Sequence, residues 1–306
     1  VVKRQFYLAL AVAFWGAASA TTPAGAQATA VPGRDLLAFP LGLLAEPGAL
    51  PSTLGLGLRN PAATTLPDSM RWQMSVGAMN TPADIGASGQ LLGGSSRWRG
   101  ATITVSLARA GVAGLVRTES DPLTRENDIA YYTTVTSVSV ARPVGPHLSW
   151  GAALRIHSGR IDVTSRTRVA VDAGLVADHL TRLDARVGAS TFLLSPGAGA
   201  GEPPTWLVAG DARIAGSNDT REARIGASVE ATAERPSEQF AFASVRFGAW
   251  EARGGPVRTV AYGTENVRAR LAVAVHYGGY AVGLAREESP SGLAPTYQFV
   301  LRSLLR

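Results

Sequence analysis

From residue 71 onward the chain alternates. Ala101, Ile103, Val105 and Leu107 fall on one side of an extended segment, and Thr102, Thr104 and Ser106 fall on the other. Successive side chains of a strand point to opposite faces, so this period of two predicts a strand with one apolar and one hydrophilic face. The pattern returns over 148–157, where Leu148, Trp150, Ala152, Leu154 and Ile156 oppose Ser149, Gly151, Ala153, Arg155 and His157. Over 183–190, Leu183, Ala185, Val187 and Ala189 oppose Asp184, Arg186, Gly188 and Ser190. Over 222–231, Ala223, Ile225, Ala227, Val229 and Ala231 oppose Glu222, Arg224, Gly226, Ser228 and Glu230. Over 269–277, Ala269, Leu271, Val273, Val275 and Tyr277 oppose Arg270, Ala272, Ala274 and His276. Further strands are expected over 72–78, 86–93, 112–118, 129–141, 161–177, 206–214, 240–250, 280–286 and 297–302. The tally is about fourteen. Near Ala243-Ser244 the phase slips, where Phe240 and Phe242 give way to Val245 and Phe247. A β-bulge is expected there.

The connections alternate in length. Those around Pro143–Pro146, His179–Arg182 and Gly278-Gly279 are tight. Those over 118–128, 195–205 and 251–266 are longer and polar or Gly-rich, and short turns opposite long loops are a feature of outer-membrane barrels. Residues 29–69 differ in kind. Pro32, Pro40, Pro47, Pro51, Pro61 and Pro67 interrupt any alternation. Leu36, Leu37, Phe39, Leu41, Leu43 and Leu44 make the segment too apolar for a solvated tail. It is expected to be ordered and irregular. Before it, Lys3 and Arg4 precede the apolar run 6–18, and Ala26-Gln27-Ala28 offers a small-x-small cleavage site, with Ala18-Ser19-Ala20 as an earlier alternative. That order predicts a cleaved secretory signal over 1–28 and Sec-type export. The apolar run is short of the roughly 20 residues that a spanning helix needs.

Composition sharpens the picture. The chain is 46% hydrophobic and 17% charged, against about 25% charged in soluble proteins, yet no long apolar run follows residue 28. Apolar residues dispersed in this way suit alternating strands that cross a membrane. There is no cysteine, which excludes disulfides, thiolate metal sites and a cysteine nucleophile. The net charge is +6, and Lys3 and Arg4 account for two of it. The arginines are spread along the chain without a basic block, so no nucleic-acid partner is expected.

A soluble exported sandwich also alternates. Two features favour a membrane barrel. The hydrophilic face mixes Gly, Ser and Thr with Arg and Asp, which suits a lumen better than a solvated outer face. The aromatics Trp72, Trp98, Tyr131, Tyr132, Trp206, Trp250, Tyr277 and Tyr280 fall near strand ends, where interfacial girdles place them. In hydrocarbon each unpaired backbone group costs several kcal/mol, so strands must close on themselves. The expected fold is all-β, a transmembrane antiparallel up-and-down barrel over 70–306 in the outer membrane of a Gram-negative-type bacterium.

The stretch 54–62, which ends Asn60-Pro61-Ala62, resembles the Asn-Pro-Ala segment of the FadL-related outer-membrane barrels. Within them it is most similar to the PorV/PorQ-like group associated with type IX secretion. The stretch 170–175, with Asp172, Gly174 and Leu175, resembles that group's Asp-x-Gly-Leu strand, and the closing strands from 269 to 301 fit its order of elements. The resemblance implies a fourteen-stranded barrel whose N-terminal segment, 29–69, folds into or against the lumen as a plug. Asn60, Pro61 and Ala62 would be its junction with the barrel. The chain departs from the pattern at its end: Leu304-Leu305-Arg306 replaces a terminal aromatic, with Phe299 seven residues back.

Candidate chemistry is sparse. His147, His157, His179 and His276 have no ligand spacing, and no metal or cofactor is expected. Residues 88–96 set serines among glycines without a Gly-x-Ser-x-Gly elbow, and no nucleophile with its base can be nominated, so an enzyme is not expected. The candidate lumen residues are Arg155, His157, Asp184, Arg186, Glu222, Arg224, Glu230, Arg270 and His276. They read either as a field for an anionic ligand or, preferred here, as Arg–carboxylate pairs that brace the wall. Three functions stay open. One is a FadL-like barrel for a hydrophobic or anionic small molecule. Another is a type IX-like accessory barrel that binds secretion-complex proteins. The third is a soluble exported β-protein. For the first two the surrounding partner is outer-membrane lipid.

Overall fold

The computed structural model describes residues 30–38, 45–51, 56–66, 69–82, 86–116, 129–195, 203–218, 221–232, 238–261, 264–288 and 295–305. The expected signal segment and the loop 118–128 lie outside them. Fourteen strands follow in order. The first seven are β1 (Trp72–Asn80), β2 (Ala87–Trp98), β3 (Ala101–Val112), β4 (Tyr131–Pro143), β5 (Leu148–Ile161), β6 (Thr164–Ala177) and β7 (Arg186–Phe192). The rest are β8 (Thr205–Asn218), β9 (Arg221–Ala231), β10 (Glu238–Phe247), β11 (Trp250–Ala261), β12 (Thr264–Tyr277), β13 (Tyr280–Glu287) and β14 (Thr296–Leu305). Each pairs antiparallel with its neighbours in sequence, and β14 returns to β1. Trp72 faces Leu305 and Asn80 faces Tyr297 across that closing seam. Closure leaves no edge strand, which is what a sheet surrounded by hydrocarbon requires.

The polarity of this barrel is inverted relative to a soluble protein. Along β1 exposed and buried positions alternate without a break. Met74 and Val76 are exposed, while Ser75 and Met79 are buried. Val105, Leu107, Val138, Leu154 and Ile156 face out on β3 to β5, and Thr104, Ser106, Ser137 and Ser139 are buried. Buried hydroxyls need partners. They find each other across strands, Ser106 Oγ to Ser137 Oγ at 2.6 Å and Ser95 Oγ to Thr104 Oγ1 at 2.8 Å.

One end of the barrel carries short turns such as 99–100, 248–249 and 278–279, together with the barrel's first and last residues. The longest connections, 113–130 and 193–204, lie at the other end. Exposed aromatics mark the short-turn end. Trp72, Trp98, Phe247, Trp250, Tyr277 and Tyr280 are each the terminal residue of a strand there. Arg99 stacks over Trp98 at 4.8 Å and Arg221 over Phe247 at 5.1 Å. An apolar body with a polar or cationic cap is the chemistry of a membrane interface. Trp206 is exposed at the opposite end, where Tyr131 and Tyr132 are half-buried.

Three sequence expectations are corrected. No strand runs over 112–118: β3 ends at Val112, and of the rest the described Val116 makes only an isolated bridge. The expected long loop 251–266 is instead taken up by β11, which runs to Ala261, and by β12, which starts at Thr264. The two errors cancel in the strand count. Gly254-Gly255-Pro256 reads as a turn, but these residues pair in register with Leu271, Arg270 and Ala269. Gly255 is glycine for a packing reason: a side chain there would run into the carbonyl of Ala241. Third, no bulge interrupts β10. Its register with β9 is continuous from Glu238↔Glu230 to Phe247↔Arg221. Phe240 and Phe242 are instead buried on the inner face, so the break in the pattern came from apolar residues inside. The register shifts lie in β8, between Arg213 and Ala215 and between Gly216 and Asn218.

The described part of residues 30–66 packs against the inner faces of the strands. Leu36, Leu37, Ala49, Leu50 and Leu58 join Phe192, Leu207, Phe240 and Phe242 in one buried cluster. The wall has glycines where this segment presses closest. A Cβ at Gly174 would collide with the Asn60 side chain, and one at Gly188 with the carbonyl of Ala49. Asn60 is wholly buried. Its Oδ1 accepts from Ala62 N at 3.0 Å and caps the 3-10 turn Pro61–Thr64. Its Nδ2 donates to Ala49 O at 2.6 Å and to Leu175 O of β6 at 3.3 Å.

Candidate lumen site

The hydrophilic face of the alternation becomes a set of buried ion pairs. Arg155 on β5 donates through Nε to Asp172 on β6, and both side chains are almost wholly enclosed. Next to Arg155, His157 Nε2 and Thr133 Oγ1 are 2.8 Å apart. Arg186 on β7 holds Asp211 on β8 with both arms of its fork, at 2.9 and 2.5 Å. Arg224 on β9 reaches the same Asp211 at 3.0 Å, and Asp184 and Glu222 at 3.2 Å each. Asp184 does not lie within a strand: β7 starts at Arg186, and Asp184 sits in the preceding connection with φ at +49°. Burial works against its charged form. Hydrogen bonding from Arg224 and the charges of His179 and Arg224 outweigh that, and hold its carboxyl below the ordinary value.

Two further clusters occupy opposite heights. Toward the long-loop end, Arg268 and Arg270 each grip both Glu238 and Glu287, at 2.6 and 3.0 Å. This closed quartet ties β10, β12 and β13. Toward the short-turn end, Glu251 joins His276 at 3.1 Å and Arg253 at 3.1 Å, and Arg253 reaches Glu46 of the N-terminal segment at 3.7 Å. Glu230 pairs with Arg59, also of that segment. The sequence reading named one side of most of these pairs. It missed Asp172, Asp211, Glu238, Glu251, Glu287, Arg59, Arg253 and Arg268. The signal was present for Asp172, which shares a face with Ala170 and Gly174 at period two.

A small cavity of about 150 Å³ lies between the N-terminal segment and the wall. Leu37, Phe192 and Leu193 give it an apolar side, and the Arg59–Glu230 pair and Arg268 give it a polar one. Two guanidiniums meet the Phe192 ring, Arg155 at 4.9 Å and Arg59 at 5.6 Å from its centre. Neither Phe192 nor the cavity was foreseen, because the alternation was read only as far as Ser190.

Beside this cavity the described ladder between β6 and β7 is short. β7 is only seven residues long and pairs with β6 through four positions, Gly174↔Ser190 to Ala177↔Val187. On its other side β6 pairs with β5 along its whole length. Just above the short ladder, irregular bonds replace it. Val171 N donates to Leu194 O at 2.8 Å, Leu194 N to Asp172 Oδ1 at 3.0 Å, and Ala173 N to Thr191 Oγ1 at 3.1 Å. From Thr164 to Val169 no strand pairs with β6 on that side among the described residues.

An even, closed, inverted barrel with a filled interior can be compared with known proteins. No protein-family model matches the chain, and no curated protein matches its sequence. Solved structures do. The CymD monoaromatic hydrocarbon channel superposes with a TM-score of 0.60 at 14% identity, covering 87% of this chain and 98% of its own. The fold is that of the hydrocarbon channels. The Ralstonia pickettii toluene transporter TbuX gives 0.58 at 12% identity over 84% and 95% of the two chains. The Pseudomonas putida toluene transporter TodX gives 0.58 at 10% identity over 86% and 96%. At these identities the likeness shows the fold alone, a closed fourteen-stranded antiparallel barrel as the sequence reading expected.

Proposed function

We propose that the protein is a FadL-like, non-enzymatic outer-membrane barrel that passes small hydrophobic or amphipathic molecules. One observation carries this reading. Between the N-terminal segment and the wall lies a small cavity with an apolar side of Leu37, Phe192 and Leu193, next to the short ladder between β6 and β7. Ligand sites are mostly apolar enclosures with a few placed polar groups. In volume this cavity is on the scale of one that holds a single benzene ring. The named substrates of the fold neighbours, toluene and monoaromatic hydrocarbons, are of that size.

In this reading residues 1–28 are the export signal. Residues 29–69 are the plug, and Asn60, Pro61 and Ala62 join it to the wall. The paired set around Arg155, Arg186, Arg224 and Arg270 braces the wall and leaves the apolar side of the cavity for the ligand. His157, Asp184, Glu222, Glu230 and His276 complete that neutralised lining. The finer PorV/PorQ-like reading rests on the stretches 54–62 and 170–175 and on the closing strands from 269 to 301, and it predicts that secretion proteins co-purify with the barrel.

Uptake of radiolabelled toluene by whole cells tests the proposal. Cells carrying the barrel are compared with the empty host and with cells carrying Leu193→Trp, which fills the cavity. Uptake well above the empty host, lost in the variant, is expected. Uptake equal to the empty host refutes the transport reading.

A further inference from the structure

The outer wall carries a groove that the transport reading does not use. It has a volume of about 600 Å³ and crosses β10 to β14. Two cross-strand rows build it. In one, Ala243 faces Gly254, Gly254 faces Leu271, Leu271 faces Arg286, and Arg286 faces Tyr297. In the other, Val245, Ala252, Val273 and Leu284 stand in line. Ala243, Ala252 and Gly254 form a trough between taller side chains. Val245, Leu271, Val273 and Leu284 are each at least half exposed.

Arg286 is the anomaly in this surface. It is exposed on the apolar outer face, one residue from the end of β13, with Tyr297 beside it one residue from the start of β14. Among the described residues it makes no hydrogen bond or ion pair. A cation on the lipid side of a barrel is costly at depth and tolerable near the interface, where its stem can lie on apolar surface and its head can reach headgroups. A guanidinium with no partner among the described residues, beside a tyrosine and over an apolar trough, matches an anionic head on an acyl chain.

We propose that this face holds one phosphate-bearing anionic membrane lipid, its phosphate on Arg286 and the Tyr297 hydroxyl and one acyl chain in the trough over Ala243, Ala252 and Gly254. The site stands on the outer face alone and is independent of what the lumen carries.

Native mass spectrometry of the full barrel, released from vesicles of phosphatidylglycerol mixed with phosphatidylcholine, tests it. One phosphatidylglycerol is expected to stay bound, enriched about fivefold over phosphatidylcholine, the scale of one basic residue near an anionic headgroup. Arg286→Gln should remove that preference, and Arg286→Lys should keep most of it. Ala252→Phe, which fills the trough, should release both lipids. Each variant is first checked for a heat-modifiable gel band, which reports an intact barrel. Retention of the phosphatidylglycerol preference by Arg286→Gln, or of either lipid by Ala252→Phe, overturns the proposal. So does a wild-type mass showing a second copy of the chain that Ala252→Phe dissociates, since the trough would then be a subunit interface.

Discussion

Replacing Asp172 by alanine should be among the most damaging single changes in the barrel. The Asp172 and Arg155 side chains are 0% and 1% exposed. Truncation leaves the guanidinium enclosed without its counter-charge, and breaking a buried pair from one side costs about 3–5 kcal/mol. The same change removes the acceptor of Leu194 N, held at 3.0 Å, for about 1 kcal/mol more. Asp172→Asn separates the two losses, since its amide oxygen can still accept from Leu194 while the charge is gone. Removing both charges, in Arg155→Met with Asp172→Leu, should recover most of the stability, because an apolar replacement of similar volume is often neutral or better. Urea unfolding from lipid vesicles, followed by tryptophan fluorescence and gel mobility, reads all four proteins. If Asp172→Ala folds and loses less than about 1 kcal/mol, the pair behaves like a solvated surface pair. The interior around Phe192 would then be wet, and the apolar cavity reading would fall with it.

Other outcomes follow from the same geometry. Gly174→Val should push Asn60 out of its seat. The N-terminal segment would then be cleaved faster by added protease, while the barrel band stays heat-modifiable. Arg224→Ala leaves Asp184, Asp211 and Glu222 without a shared cation, and should lower stability by about 3 kcal/mol or more, measured by urea midpoint. Asp184 has a folded-state pKa below its ordinary 3.8. Its contribution is therefore present above about pH 4 and is lost as pH falls through the depressed value. The midpoint of Asp184→Asn should sit below wild type at pH 7, and the two should converge in strong acid. Brominated lipids should quench the fluorescence of Trp72, Trp98 and Trp250, because these are exposed at the short-turn rim; an absence of quenching would contradict a membrane-facing girdle.

The barrel was legible where one face is apolar and the other small and polar. β3, β5, β9 and β12 have that form, and their buried and exposed positions alternate in the phase read from the sequence. Legibility failed where the interior is not polar or the exterior not apolar. β11 pairs along its whole length, yet Glu251, Arg253, Gly254, Gly255 and Pro256 imitate a loop. The reason lies inside the barrel, where Glu251 and Arg253 meet His276 and Glu46. Phe240 and Phe242 misled in the opposite sense. They are apolar residues on the inner face because Leu36, Leu37 and Leu50 supply an apolar surface for them to pack on.

The missed half of the candidate site has the same origin. An arginine at a lumen position can be read from period two alone, but its partner lies on a neighbouring strand or on the N-terminal segment, at a register that a single strand does not encode. Arg186 meets Asp211 only because β7 and β8 align them directly, and Arg59 meets Glu230 across a separation of 171 residues. The break between β6 and β7 is less visible still. It arises from the shortness of β7, which stops at Phe192, the residue whose ring meets Arg59 and Arg155. The residue that ends the strand also lines the cavity, so the short described ladder and the candidate ligand site meet at Phe192.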